Sequence, residues 1–345
     1  MTLAVSGAIL VALIAVASLL PVPYVIYSPG PTEDTLGEED GAPVIQVDGA
    51  EVYPTDGELD LTTVGITPVD GRVDLFTALG AWLDTERAVY PRELIYGPDI
   101  TAEERREENA FMLRRSQEDA KVAALRQLGY DVPELVVVDM VIEGKPADGA
   151  LEPGDEVLRV DGVAIESADD VVQAVQAHAP GDEIEFMINR SGEELVLDVV
   201  TTEADDGDHA FVGFAPAPGY DFPVQIDVSI DDRIGGPSAG MIFALAIYDT
   251  LTPGALLDGL HVAGTGEISG DGDVGPIGGI QQKIAAAANQ GVDLFLAPVE
   301  NCDDVPGADA EDMQIVSIDT LEDAIAAVEA VAAGNGSDLP TCPSA

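Results

Sequence analysis

Residues 234–240 read IGGPSAG, and the next eight read MIFALAIY. A serine hydroxyl at position 238 therefore stands on a glycine- and proline-bent turn, directly ahead of an apolar run. One reading is purely local: serine is a favoured helix N-cap, because its oxygen accepts a first-turn N–H. The other is chemical: a tight bend before a buried helix presents a hydroxyl next to amides that have no intrahelical acceptor. The rest of the chain has to decide between them.

A second glycine-rich stretch, TGEISGDGDVGPIGGIQQK, covers 265–283. Its glycines lack the spacing of a phosphate-cradling P-loop. Its Asp-Gly-Asp has too few regularly spaced oxygens for a calcium loop. What stands out is Lys283, on the apolar-flanked segment GIQQKIAAAA, in a chain whose only other lysines are Lys121 and Lys145. Alone, it reads as the solvated edge of an amphipathic helix. Beside Ser238 it reads as a base. A serine hydroxyl is a poor nucleophile until something takes its proton, and none of His178, His209 and His261 is well placed in the sequence to do so. A lysine can serve only if burial lowers its pKa from about 10.4. Ile280, Ile284 and Ala285 to Ala288 supply apolar neighbours, while the acidic field of the chain opposes the shift. Thr265 can accept a hydrogen bond from that lysine, and the loop at Gly236, Pro237 and Ala239 sets the bend and the amides that would hold an oxyanion.

Composition bounds what else the protein does. With 345 residues and 46% hydrophobic content the chain can bury more than one core, and its formal net charge is −51. A nucleic-acid binder needs a basic face, so nucleic acid is excluded as a partner. The acidity is a solubility device, suited to a high-salt host. No metal or cofactor motif is present.

Residues 2–20, TLAVSGAILVALIAVASLL, carry no charge and have the length of a bilayer span. The first charge is Glu33 and the first basic side chain Arg72, so the charge rule for orientation has little to act on. The alternative is a cleaved signal peptide, but Leu19, Leu20 and Pro21 end the run without a small-residue cleavage site. The expectation is a retained single-pass anchor, with the remainder outside the cytoplasm. There Cys302 and Cys342 are able to form a disulfide or to remain as free thiols.

Between these landmarks, PVPYVIYSPGPTED reads as a proline-punctuated connector and 56–66 as a strand. Residues 101–128 read as a helix with a Thr101/Glu104 capping box and a stop at Gly129. In 135–202 the pattern gives strands at 135–144 and 157–160 with a turn at Asp161–Gly162. A helix capped by Ser167 follows, presenting Val171, Val172 and Val175, and then a hairpin turning at Gly192. After 205 strands and helices alternate.

The run GKPADGALEPGDEVLRVDGVAI resembles the PDZ domains of bacterial envelope proteases, with Asp161 where that pattern has Asn. The resemblance implies a groove that takes an extended protein or peptide segment as an added strand. GGPSAG followed by TGEI and then GPIGGIQQK resembles the proteolytic domain of the Lon protease family over about 227–298. The whole arrangement looks like the membrane-anchored Lon-like proteases of bacteria. This resemblance implies an α+β chain: an anchor at 1–22, a region 23–133 holding the first part of the protease fold, a PDZ domain at 134–203, a Lon-type α+β proteolytic domain at 204–334 and a tail at 335–345. It assigns Ser238 and Lys283 as a catalytic dyad with Thr265 accessory, and suggests a homo-hexamer. Many Lon proteases carry an acid three residues before the serine; here that position is Gly235. The expected activity is that of a serine endopeptidase working without ATP at the outer face of the cell membrane. The alternative is a catalytically silent peptide-binding scaffold on the same folds.

Overall fold

The structure is a computed structural model that describes residues 5–7, 9, 11, 14, 20–39, 41–97, 100–204, 207–231, 233–310 and 312–342. The expected anchor at 2–20 therefore falls largely outside the described residues; among those described, no helix is long and apolar enough to cross a membrane. The chain divides into two compact units, one made of residues 1–130 and 224–345, the other of 131–223. The first unit is thus built from two stretches of chain, with the second unit inserted between them.

The first unit is organised by a six-stranded sheet. Its elements in chain order are strands β1 (Tyr24–Asp34), β2 (Ile45–Asp48) and β3 (Glu58–Ile66), helix α1 (Leu75–Leu83), strand β4 (Ala88–Pro91) and helix α2 (Ala102–Gln127). After the inserted unit come β5 (Gln225–Val228), α3 (Gly240–Leu251), β6 (His261–Gly264), α4 (Ile280–Asn289), β7 (Leu294–Pro298), β8 (Gln314–Ile318) and α5 (Leu321–Ala332). The sheet order is β8-β7-β6-β3-β1-β4. From β8 to β3 the strands run parallel, and β1 and β4 add antiparallel. Every residue of β7 is buried, as expected of a parallel strand covered on both faces. β6 is flanked by β7 from the late segment and β3 from the early one, with Gly264 opposite Leu61. A hydrogen bond from the Thr62 hydroxyl to the Gly264 carbonyl (3.0 Å) joins the two segments again at that point.

The local signals in α2 act as the sequence predicts. Thr101 and Glu104 form a reciprocal capping box, and Gly129 takes the left-handed conformation (φ +83°) that ends the helix. The connector PVPYVIYSPGPTED does not hold: it is the eleven-residue strand β1, in the interior of the sheet. Its prolines are tolerated because the ladder to β3 shifts register between Pro29 and Thr32, where a missing N–H costs nothing. The segment HVAGTGEIS is likewise not one strand. It breaks after Gly264, and Glu267–Ile268 pairs separately with Val274–Gly275.

The second unit is a five-strand path in the order 193–200, 183–190, 156–160, 134–141, 214–220, with a helix at Ala168–Gln176. Phe186, Ile184, Ile188, Val160 and Val171 lie at its centre, and Phe186 meets Phe214 edge to face at 5.7 Å. Two corrections follow. Residues 204–223 belong to this unit and not to the later one, because Phe214–Tyr220 pairs with Glu134–Val141. Pro216 and Pro218 fit there because the strand lies at the end of its sheet, and an edge strand accepts prolines. Val172, expected on the packing face, is 39% exposed.

The tail is also not loose. Cys302 and Cys342 form a disulfide with Cα atoms 4.8 Å apart, Ser317 donates its amide to the Pro340 carbonyl, and Cys342 is buried. A bridge closing a loop of this length contributes about 4 kcal/mol on the loop-entropy account.

Candidate active site

Ser238 does not cap the helix that follows it. The N-cap of α3 is Ala239, in helical backbone geometry, and no side chain caps that end. The hydroxyl is therefore free for another partner, and the partner is Lys283, whose Nζ lies 2.7 Å from Ser238 Oγ. α4 delivers the lysine. The helix starts at Gly279, in left-handed conformation (φ +71°), where an added Cβ would lie 2.7 Å from Val64. One turn later Lys283 is only 2% exposed, among Ile280, Ile284 and the alanine run.

Thr265, at the end of β6, closes the triangle. Its hydroxyl donates to the Ser238 carbonyl (2.9 Å) and accepts from Lys283 Nζ (2.8 Å). Having spent its single proton on a carbonyl, Thr265 can only accept from the amine, so it holds one N–H of Lys283 in place. A neutral amine then has a lone pair left for the Ser238 proton.

Desolvation supplies that neutral amine: it lowers the Lys283 pKa from 10.5 to about 7, with Glu267 opposing the shift from nearby. Glu267 is itself held above the ordinary carboxylate range, chiefly by desolvation, with the lysine pulling it down. Among the described residues no hydrogen bond joins a histidine to Ser238, Thr265 or Lys283: His178 pairs with Asp161 (3.0 Å) and His261 with Asp60 (3.0 Å).

The nucleophile loop is held by α2, which the sequence did not connect to the site. Buried Ser116 donates its hydroxyl to the Pro237 carbonyl (2.8 Å), and the Asn109 carbonyl accepts the Gly236 amide (3.0 Å). Gly236 and Pro237 shape the bend and offer no amide of their own. The Gly236 N–H is already used and Pro237 has none, whereas among the described residues the amides of Ser238 and Ala239 donate to no acceptor. Gly235, where many relatives carry an acid, lies against α2: a Cβ there would be 2.8 Å from that of Asn109. Asp231 is paired with Arg233, which holds its carboxylate down at about 2. Among the described residues no cluster suits a metal ion.

Comparison with known proteins gives two domain-family matches. Residues 232–330 match the Lon protease (S16) C-terminal proteolytic domain, and residues 108–201 match the PDZ domain family. The chain is 28% identical over 184 residues to a Lon protease of Campylobacter concisus, covering 50% of this chain and 22% of that protein. It is 40% identical over 95 residues to the Lon protease of Methylocella silvestris (27% and 12%) and 32% identical over 124 residues to Lon protease 1 of Herpetosiphon aurantiacus (36% and 15%). The chain thus spans less than a quarter of the length of these relatives. A solved PDZ domain of an SdrC-like protein from Listeria monocytogenes aligns with 24% of this chain and 85% of its own at 22% identity, with a TM-score of 0.23. The chain carries a Lon-type proteolytic domain and a PDZ domain, and the Lon matches support a serine-type endopeptidase.

Proposed function

We propose that this protein is an ATP-independent serine endopeptidase with a Ser238/Lys283 dyad, anchored in the cell membrane with its catalytic unit outside the cytoplasm, and working as a homo-hexamer. The observation that carries the catalytic reading is a buried amine, its pKa lowered by desolvation to about 7, 2.7 Å from a serine oxygen. Burying a lysine costs several kcal/mol, and a silent scaffold has no use for that cost.

In this mechanism neutral Lys283 takes the proton of Ser238 Oγ as the oxygen attacks the scissile carbonyl carbon. The tetrahedral oxyanion lies toward the amides of Ser238 and Ala239, at the positive end of α3. Lys283, now an ammonium, passes its proton to the departing amine. A water enters, Lys283 takes one of its protons as the water oxygen attacks the acyl carbon, and Lys283 returns that proton to Ser238 Oγ as the ester bond breaks and the acid leaves. Thr265 keeps Nζ oriented through both steps.

In the second unit, helix 168–176 and strand 214–220 border a cleft of about 320 Å³ lined by Val172, Val175, Phe211, Phe214 and Pro216 among others. Strand 214–220 is the last in its sheet. We place a substrate's extended segment there, added as a further strand. The disulfide supports an oxidising compartment, and the uncharged run at 2–20 supports the anchor.

The test is cleavage of an unfolded protein without nucleotide by the full chain, Ser238→Ala and Lys283→Ala. Each variant loses about 10³-fold or more in kcat. Cleavage that persists in both overturns the dyad.

A further inference from the structure

Helix α1 has its apolar residues the wrong way round for a globular protein. Its nine residues, LFTALGAWL, contain no charge. It packs on the first unit through its small residues, Ala78 and Ala81, which are buried. Its large ones point away: Phe76 is 47% exposed, Leu79 45%, Trp82 73% and Leu83 78%. Positions 76, 79 and 83 form one stripe at helical spacing, and a continuous exposed apolar patch of this kind marks a docking surface.

The position of this stripe identifies what covers it. Asp74 caps α1, and Val73–Asp74 pairs antiparallel with Pro21–Val22. The uncharged run that ends at Leu20 therefore enters the first unit at the foot of α1. The Arg92 amide bonds to the Pro23 carbonyl, which brings Leu94, 71% exposed, to the same corner. Charge points the same way. The chain has 65 acidic and 14 basic residues, but from Arg72 to Leu94 the three arginines Arg72, Arg87 and Arg92 stand against only four acids, Asp74, Asp84, Glu86 and Glu93. This stretch carries far less excess negative charge than the rest of the chain, and α1 itself carries none, so it can approach anionic headgroups that repel the rest of the protein.

We propose that α1, with Leu94, is an interfacial membrane-docking element: it lies in the headgroup boundary with Phe76, Leu79, Trp82 and Leu83 inserted, and holds the first unit against the bilayer that residues 2–20 span. The proposal rests on the anchored reading above. Docking at a second contact fixes the orientation of a unit that a single tether would leave free to rotate, and an indole at the interface is its preferred setting.

Trp82 is the only tryptophan in the chain, so intrinsic emission reports this helix alone. The full chain is reconstituted into vesicles of equal parts phosphatidylcholine and phosphatidylglycerol, with and without dibrominated phosphatidylcholine, and recovered by flotation. The expected result is a blue-shifted emission quenched about twofold or more by the brominated lipid. Phe76→Ser/Leu79→Ser/Leu83→Ser, which keeps Trp82, floats equally and loses the quenching. A chain that floats with emission unquenched overturns the docking and leaves the anchor standing. Emission that is blue-shifted yet unquenched means that a second copy covers the helix, and this too overturns the docking. A chain that does not float overturns anchor and docking together.

Discussion

Ser116 and Pro237 are 121 positions apart in sequence and 2.8 Å apart in space, hydroxyl to carbonyl. The residue before the nucleophile is thus held by a helix of the other chain segment. Ser116→Ala leaves that carbonyl with only the longer bond from the Gly240 amide (3.4 Å) and lets the loop shift. Steady-state kinetics should show kcat down about tenfold with KM within about twofold, while thermal unfolding shows a loss of only about 1 kcal/mol. An equal fall in stability and no change in kcat would mean that Ser116 serves packing alone.

Gly240 opens α3 against the same helix. A Cβ there would lie 2.6 Å from Ser116 Oγ and 2.8 Å from Ile268 Cγ2. Gly240→Ala is expected to destabilise by about 1–3 kcal/mol, as overpacking does, and to lower kcat, because Ser116 must move from Pro237 to admit the methyl. Chemical denaturation with parallel activity assays checks both.

The neutral amine sets the pH dependence. Lys283 titrates at about 7 when folded against 10.5 in an open chain. Activity should rise with pH through about 7 as the base loses its proton. Glu267 raises the lysine pKa, so Glu267→Gln should move the acid limb of the kcat/KM profile to lower pH. The stability sign is fixed by the same shift. Between pH 7 and 10.5 the unfolded chain holds the proton and the folded one does not, so this group makes the protein more stable as pH rises. Lys283→Met should therefore be more stable than the parent at pH 7, and the difference should vanish above pH 10.5, as read by denaturation at several pH values.

The cleft in the second unit should separate binding from chemistry. Val172 lines it and is 39% exposed, so Val172→Asp places a charge in the groove without opening a core. Capture of extended peptides, followed by fluorescence anisotropy, should weaken about tenfold or more. Cleavage of a short unstructured peptide that needs no capture should keep its Ser238-dependent rate.

Removing the disulfide tests the tail. Cys302→Ser/Cys342→Ser should lose about 4 kcal/mol, seen as a lower Tm, and the same loss should follow reduction of the parent protein.

Proximity is legible in the sequence where partners are close along the chain or lie in motifs of fixed spacing. The caps Thr101–Glu104 and Ser167–Asp170 span three residues each and are both formed. Ser238 and Thr265 stand in glycine-punctuated stretches and Lys283 on the helix that ends the second of them, and the fold brings the three within hydrogen-bond distance. Reading failed where pairing decided the outcome. Tyr24–Asp34 and Phe214–Tyr220 have the prolines of linkers and become strands because a neighbour takes up their remaining backbone groups. Ser116 and Asn109 carry no local mark at all, since a serine and a carbonyl in a charged helix gain meaning only from what packs against them.

By itself the amino-acid sequence determined which atoms are available: a hydroxyl on a bend, an amine in an apolar helix, an acidic surface and one uncharged run. Tertiary structure alone decided that the amine is dry, that it stands between the hydroxyls of Ser238 and Thr265, and that the large apolar side chains of α1 are exposed. The reason is that desolvation and exposure belong to the packed surroundings of a side chain, and those surroundings are assembled from residues more than a hundred positions apart.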